Sequence, residues 1–294
     1  MLRRSSLPPN VLGSLYMTLG ALAYVVNDGL VRIAAEEGVD VYQALFLRGC
    51  AMIVVFAVAS QIRSERLDRQ MLTKPLVGRV AAEVVGTALF FAALLNLEFA
   101  NAQTILMLTP FGVTLVGAVA LGEKVTTRRW VTIAVGFAGV LAVVRPTPSG
   151  FSPWALVVLG SAVALMAREL ATRQVPPTTP ALPIALLTAL AITAMTGSVS
   201  ATTGWGAVTA RAALMLALAC VCLVAGYLFL IETVRVSDLS VTAPFRYTAV
   251  IGAVIVGLVF FDEIPDALTL LGCTAIVTAG VAAAREDARR TAVS

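Results

Sequence analysis

Side chains able to do chemistry sit inside otherwise apolar runs of this sequence. Near its start, Gly20, Tyr24 and Asn27 recur at i, i+4 and i+7 and share one helix face, with Asp28 beside them. A tyrosine ring packs an apolar group, and an asparagine amide both donates and accepts. The pair therefore suits a small molecule carrying a carboxylate or an amine. Its plainer alternative is hydrogen bonding between helices, a common use of Asn in bundles. Glu83, Thr87, Phe90 and Phe91 repeat the helical spacing. There the carboxylate can hold an ammonium or a proton and the rings can wall an apolar pocket, unless Glu83 only reaches back to the interface beside Arg79. Phe245 and Arg246 lie well inside a later run, where Arg246 has two candidate partners, Glu83 or a substrate carboxylate. Met107 and Tyr227 complete the expected substrate-binding set. Asp28 and Arg48 form either a gate or a structural ion pair, and Arg168 either binds a carboxylate or anchors its helix on the positive side.

This is binding chemistry rather than bond-making chemistry. The 294 residues contain no histidine, which removes the usual neutral-pH proton shuttle and the commonest metal ligand. Cys50, Cys220, Cys222 and Cys273 lie in apolar stretches and read as small buried hydrophobes, and Cys220 and Cys222 point to opposite sides of a helix. No phosphate-binding glycine loop is present. We therefore expect no enzyme, no metal and no cofactor. An integral-membrane enzyme is the disfavoured alternative class, because the common nucleophile–base sets need the missing histidine.

The composition fixes the setting of these side chains. Hydrophobic residues make up 59% of the chain and charged residues 13%, against about 45–50% and about 25% in soluble domains. Mean hydropathy is +0.92. A soluble enzyme, a nucleic-acid-binding module and a disordered tail are excluded; the chain is polytopic, with the lipid bilayer as its solvent. Runs long enough to span fall at 11–33, 41–61, 78–96, 101–121, 129–144, 153–173, 182–200, 210–231, 238–260 and 267–284. Of 21 Lys and Arg, 15 fall on the side of the N-terminus and only Arg32, Arg145 and Arg211 on the other. That bias puts both termini in the cytoplasm, and a bacterial inner membrane is the expected location.

An internal repeat organises the spans. Leu19-Gly20-Ala21 aligns with Leu159-Gly160-Ser161, Leu121-Gly122-Glu123-Lys124 with Phe261-Asp262-Glu263-Ile264, and Ala138-Gly139-Val140 with Ala279-Gly280-Val281. The halves, 1–150 and 151–294, hold five spans each, so an odd count inserts them in opposite orientations. Inverted repeats of this kind recur in secondary transporters that alternate access to a midplane site. Pro110 and Pro244 should kink spans 4 and 9. Glycines 136, 139, 272 and 280 offer packing surfaces, with a homodimer possible and a monomer otherwise.

Together with Ala243-Pro244-Phe245-Arg246-Tyr247-Thr248 and Phe260-Phe261-Asp262-Glu263-Ile264-Pro265-Asp266, these motifs resemble the EamA branch of the drug/metabolite transporter superfamily over residues 11–284. The resemblance implies an all-α membrane fold of ten helices as two inverted five-helix repeats. Spans 1, 3, 4, 6, 8 and 9 would surround a central cavity, with spans 5 and 10 packed outside. It also implies export of small amphipathic metabolites, aromatic and other hydrophobic amino acids above all. Drugs, purines or sugar derivatives are the alternative cargo on the same fold.

Overall fold

The computed structural model describes residues 8–65, 68, 71–120, 126–144, 152–176 and 178–291. These residues form helices and no strands: α1 (Pro9–Glu36), α2 (Val41–Ile62), α3 (Lys74–Leu94), α4 (Phe99–Leu106), α5 (Thr109–Ala120), α6 (Thr127–Val144), α7 (Pro153–Thr172), α8 (Ala181–Thr203), α9 (Ala210–Val236), α10 (Leu239–Thr242), a 3₁₀ segment (Ala243–Tyr247), α11 (Thr248–Phe260) and α12 (Ala267–Thr291). Among the described residues, eight helical stretches are long and apolar enough to cross a bilayer, and Trp130–Val144 and Ala267–Ala283 are shorter apolar helices. Together they occupy the ten runs expected from the sequence. The turn Leu121-Gly122-Glu123-Lys124 lies outside the described residues.

The chain divides into two compact units, each drawing on both halves of the sequence. One comprises Met1–Asn27, Glu98–Phe151 and Val221–Ser294; the other comprises Asp28–Leu97 and Ser152–Cys220.

In the second of these units, α2 packs on α8 and α3 on both α7 and α8. Asp40 caps α2 by accepting the backbone N–H groups of Tyr42 and Gln43 at 3.0 and 3.1 Å. The Gln43 amide then donates to the Gly206 carbonyl at 3.0 Å and accepts the Gly206 N–H at 2.9 Å, which fixes the start of the α8–α9 connection. Where α3 crosses α7, the Ser161 hydroxyl donates to the Gly86 carbonyl at 2.7 Å. A Cβ on Gly86 would stand 3.1 Å from the tip of Leu165, which would have to shift by a few tenths of an ångström, so the helices pack closely here.

In the first unit, α6 packs on α12 and α4 on α11. A Cβ on Gly139 would lie 2.8 Å from the Gly272 carbonyl oxygen, and one on Gly272 would lie 2.6 Å from the Gly139 carbonyl oxygen. Gly136 backs the Phe111 ring and Gly280 the Tyr247 ring. The glycines that suggested a dimer surface are therefore used inside the chain, because their small size suits whichever helix arrives first. On α1, a Cβ at Gly20 would sit 3.3 Å from the Gly226 carbonyl, so α1 and α9 also approach closely at a glycine pair. Gly20 and Gly160, like Gly86 and Gly226, are separated by the same repeat offset.

Glu263 has a structural task that its sequence motif did not reveal. Its carboxylate accepts the Phe99 backbone N–H at 2.6 Å and takes the place of a cap at the start of α4, where Glu98 gives no side-chain cap. The Phe99 and Phe261 rings pack alongside, tilted by 36° with centroids 5.5 Å apart. We expect Glu263→Ala to cost about 1 kcal/mol, the usual worth of an N-cap, read as a lower melting temperature in detergent; an unchanged melt would show the cap to be idle. Among the cysteines, all four are free thiols. Cys273 is buried 3.4 Å from Thr104, but Cys50 is exposed rather than buried. On an apolar helix flank a weakly polar thiol needs no cover.

Candidate functional site: a charge cluster and two interrupted helices

Glu83 stands at the middle of the 21-residue α3, where an uncompensated charge in a span costs about 2.5–3.5 kcal/mol. Its compensation comes from α7. Arg168 Nη1 donates to both Glu83 carboxylate oxygens, at 3.2 and 3.0 Å. Arg168 Nη2 lies 3.4 Å from Glu169, and Arg79 Nη2 lies 3.9 Å from Glu83. Arg79 is in turn fixed from α8: its Nη1 donates to the Thr188 hydroxyl at 2.9 Å, and that hydroxyl donates to the Ile184 carbonyl at 2.8 Å. Two cations and two carboxylates from α3 and α7 thus share one locus, tied to α8 through Thr188. Their side chains are only 18–26% exposed. Glu83 is thus paired within the unit.

Farther along α3, Thr87 is half-buried one turn from Glu83. Phe90 is buried and stands edge-on to Phe91, with centroids 5.2 Å apart. Arg48 is buried too, its guanidinium carbon 5.4 Å from the centre of the Phe91 ring, a cation–π contact that helps a charge tolerate an apolar span. Asp28 is half-buried on α1.

The other unit carries the helix interruptions. α4 ends at Leu106 and α5 starts at Thr109, with Met107 half-buried between them. Proline at 110 has no N–H to give the Leu106 carbonyl, and the Thr109 hydroxyl donates to it instead at 2.8 Å. Pro244 lies in the 3₁₀ segment between α10 and α11. Within that segment Phe245 and Arg246 are exposed, whereas Tyr247 is buried, 6.2 Å from the Phe111 ring centre. Tyr24 lies over Gly226, whose Cβ would stand 3.1 Å from the ring; Tyr227 is half-buried and Asn27 is 1% exposed. Such interruptions leave backbone groups that only protein or a water-lined cavity can satisfy in a membrane.

Sequence reasoning placed Glu83 and Arg168 on separate helices without joining them, and offered Arg246 as a partner for Glu83. The structure gives Glu83 to Arg168. Arg79 was legible as the residue one turn before Glu83. Thr188 carried no signal, because a hydroxyl bonded to its own helix looks in sequence like any other threonine. Nor did Tyr247 stand out from its neighbours Phe245 and Arg246.

Residues 11–145 match the EamA-like transporter family. The chain is also 28% identical to the pseudopaline exporter CntI of Pseudomonas aeruginosa across 282 residues, covering 93% of this chain and 96% of that protein. It is 25% identical to a riboflavin transporter of Rhizobium johnstonii, over 95% of this chain and 93% of that one. Identity to an S-adenosylmethionine uptake transporter of Rickettsia prowazekii is 26%, over 54% of each chain. One solved crystal structure superposes with a TM-score of 0.63 at 20% identity, covering 93% of this chain and 97% of the other, a likeness of fold alone. The first half of this multi-pass membrane chain thus matches the EamA-like transporter family, and the chain as a whole is similar to transporters of small molecules. These three relatives are named for pseudopaline, riboflavin and S-adenosylmethionine, not for aromatic amino acids.

Proposed function

We propose that the protein is a secondary transporter of the bacterial inner membrane, with both termini in the cytoplasm, that exports small amphipathic metabolites. Hydrophobic and aromatic amino acids are its first candidate cargo. The observation that carries this reading is the likeness to a bacterial exporter along nearly the whole of both chains. The glycine crossings recurring at the repeat offset support two inverted halves, 1–150 and 151–294, that rock to alternate access. On this reading Tyr24, Asn27, Thr87, Met107, Tyr227, Phe245 and Arg246 line the path with mixed polar and apolar groups, and Asp28 and Arg48 act near its outer end. A second reading, with riboflavin-sized or nucleoside-bearing cargo, is favoured by the names of the other two relatives.

Uptake of radiolabelled phenylalanine, threonine, riboflavin, S-adenosylmethionine and a sugar control into proteoliposomes, with and without a pH gradient, tests the proposal. We expect phenylalanine to enter selectively. Flux that ignores the gradient identifies facilitated transport, and flux that follows it identifies proton coupling. If only riboflavin or S-adenosylmethionine moves, the amino-acid cargo is wrong and the second reading replaces it. If nothing moves, the transporter reading fails for these cargo classes.

A further inference from the structure

We infer that Glu83 and Arg168 are the site that recognises a substrate's ammonium and carboxylate, separating from one another to take the opposite ends of a zwitterion. This rests on the transporter reading above and narrows its cargo to zwitterions.

Three features of the cluster carry the inference. The first is its charge balance. Arg79, Arg168, Glu83 and Glu169 sum to zero, so a zwitterion inserted among them leaves every charge compensated. A lone cation or anion leaves one charge bare in an apolar span, which is costly.

The second is that each partner has a fallback. When Arg168 turns to a carboxylate it keeps Glu169, 3.4 Å away, and when Glu83 turns to an ammonium it keeps Arg79, 3.9 Å away. Arg79 does not follow the exchange, because Thr188 holds it at 2.9 Å from another helix. A pair that served stability alone would gain little from this arrangement, since an apolar pair in the same place is often as stable.

The third is access with rigid spacing. The Glu83 and Arg168 side chains are 18% and 23% exposed, unlike the fully covered Gln43 and Thr104. The Ser161–Gly86 bond of 2.7 Å sets the distance between the two helices that carry them. Half-buried Thr87 stands one turn along on the same face as Glu83.

The test is binding of radiolabelled phenylalanine to the purified full chain in detergent, competed by phenylalanine, phenylalaninamide (no carboxylate) and phenylpropionate (no ammonium). In the wild type, losing either end should weaken competition about tenfold, the worth of a charge-assisted hydrogen bond. Arg168→Gln should erase the penalty on phenylalaninamide and keep that on phenylpropionate, and Glu83→Gln should do the reverse. Should either variant fail to fold, Arg168→Lys and Glu83→Asp keep the charge while changing its reach, and each should reduce the penalty at its own end only. Glu232→Gln with Arg235→Gln removes a comparable pair, 3.0 Å apart, outside the cluster and should change neither penalty. Loss of both penalties together, or of neither, overturns the inference and leaves transport untouched. Absence of phenylalanine binding to the wild type overturns it as well, and the flux experiment then tells whether the transporter reading survives with other cargo.

Discussion

Gly272→Val will unfold the α6–α12 pair. The new Cβ would stand 2.6 Å from the Gly139 carbonyl oxygen and 2.7 Å from Val143, and Gly139 presses on Gly272 in return. A backbone oxygen cannot swing aside as a side-chain tip can, so relief requires the helices to separate. Overpacking of this kind costs about 3 kcal/mol. In a bilayer little opposes that separation, because lipid chains are as apolar as the lost contacts and association rests on close packing. The expected result is a markedly lower melting temperature in detergent and a fall in membrane yield. Gly78→Ala, in α3, provides the contrast: nothing lies within 4 Å of the place its new Cβ would take. It should be neutral or stabilising by about 0.5–1 kcal/mol, as expected for alanine in a helix. Equal melting of the two variants would refute the close-packing account.

Removing both members of the Glu83–Arg168 pair should cost less than the two single removals added together. Arg168→Gln leaves the Glu83 carboxylate with Arg79 at 3.9 Å and takes away both charge-assisted bonds from Arg168. Breaking a fully buried pair costs about 3–5 kcal/mol, and partial exposure here lowers the expectation to about 2 kcal/mol. The neutral pair Glu83→Gln with Arg168→Gln leaves two uncharged amides at hydrogen-bonding range and should lose less than the sum of its single changes by about 1–2 kcal/mol. A double-mutant cycle on melting free energies in one detergent measures that difference. Additive losses would mean that the two side chains do not depend on each other.

These expectations draw on different sources of information. The apolar runs determined where the helices lie, because a span has to satisfy its own backbone along some 20 residues of hydrocarbon whatever its neighbours do. Proline chemistry is equally local: Pro110 and Pro244 stand at interruptions because a ring without an N–H breaks the ladder in any surroundings. Composition alone placed the chain in a bilayer and set aside soluble and nucleic-acid-binding roles.

Pairings are another matter. In sequence, Glu83 had Arg79 one turn away, and Arg246 or a ligand as distant candidates. Arg168, 85 positions along the chain, became its partner only because Gly86 and Ser161 bring α3 and α7 together. The glycines of α6 and α12 showed that something packs closely against them, but not that they pack on each other. Glu263 looked like part of a loop motif, and its use as the cap of α4 appears only when two turns distant in sequence meet. Helix positions follow from the free energy of each segment in its solvent, which the sequence carries residue by residue. Which charge meets which, and which glycine faces which, follow from how the segments are packed, and that information belongs to no single segment.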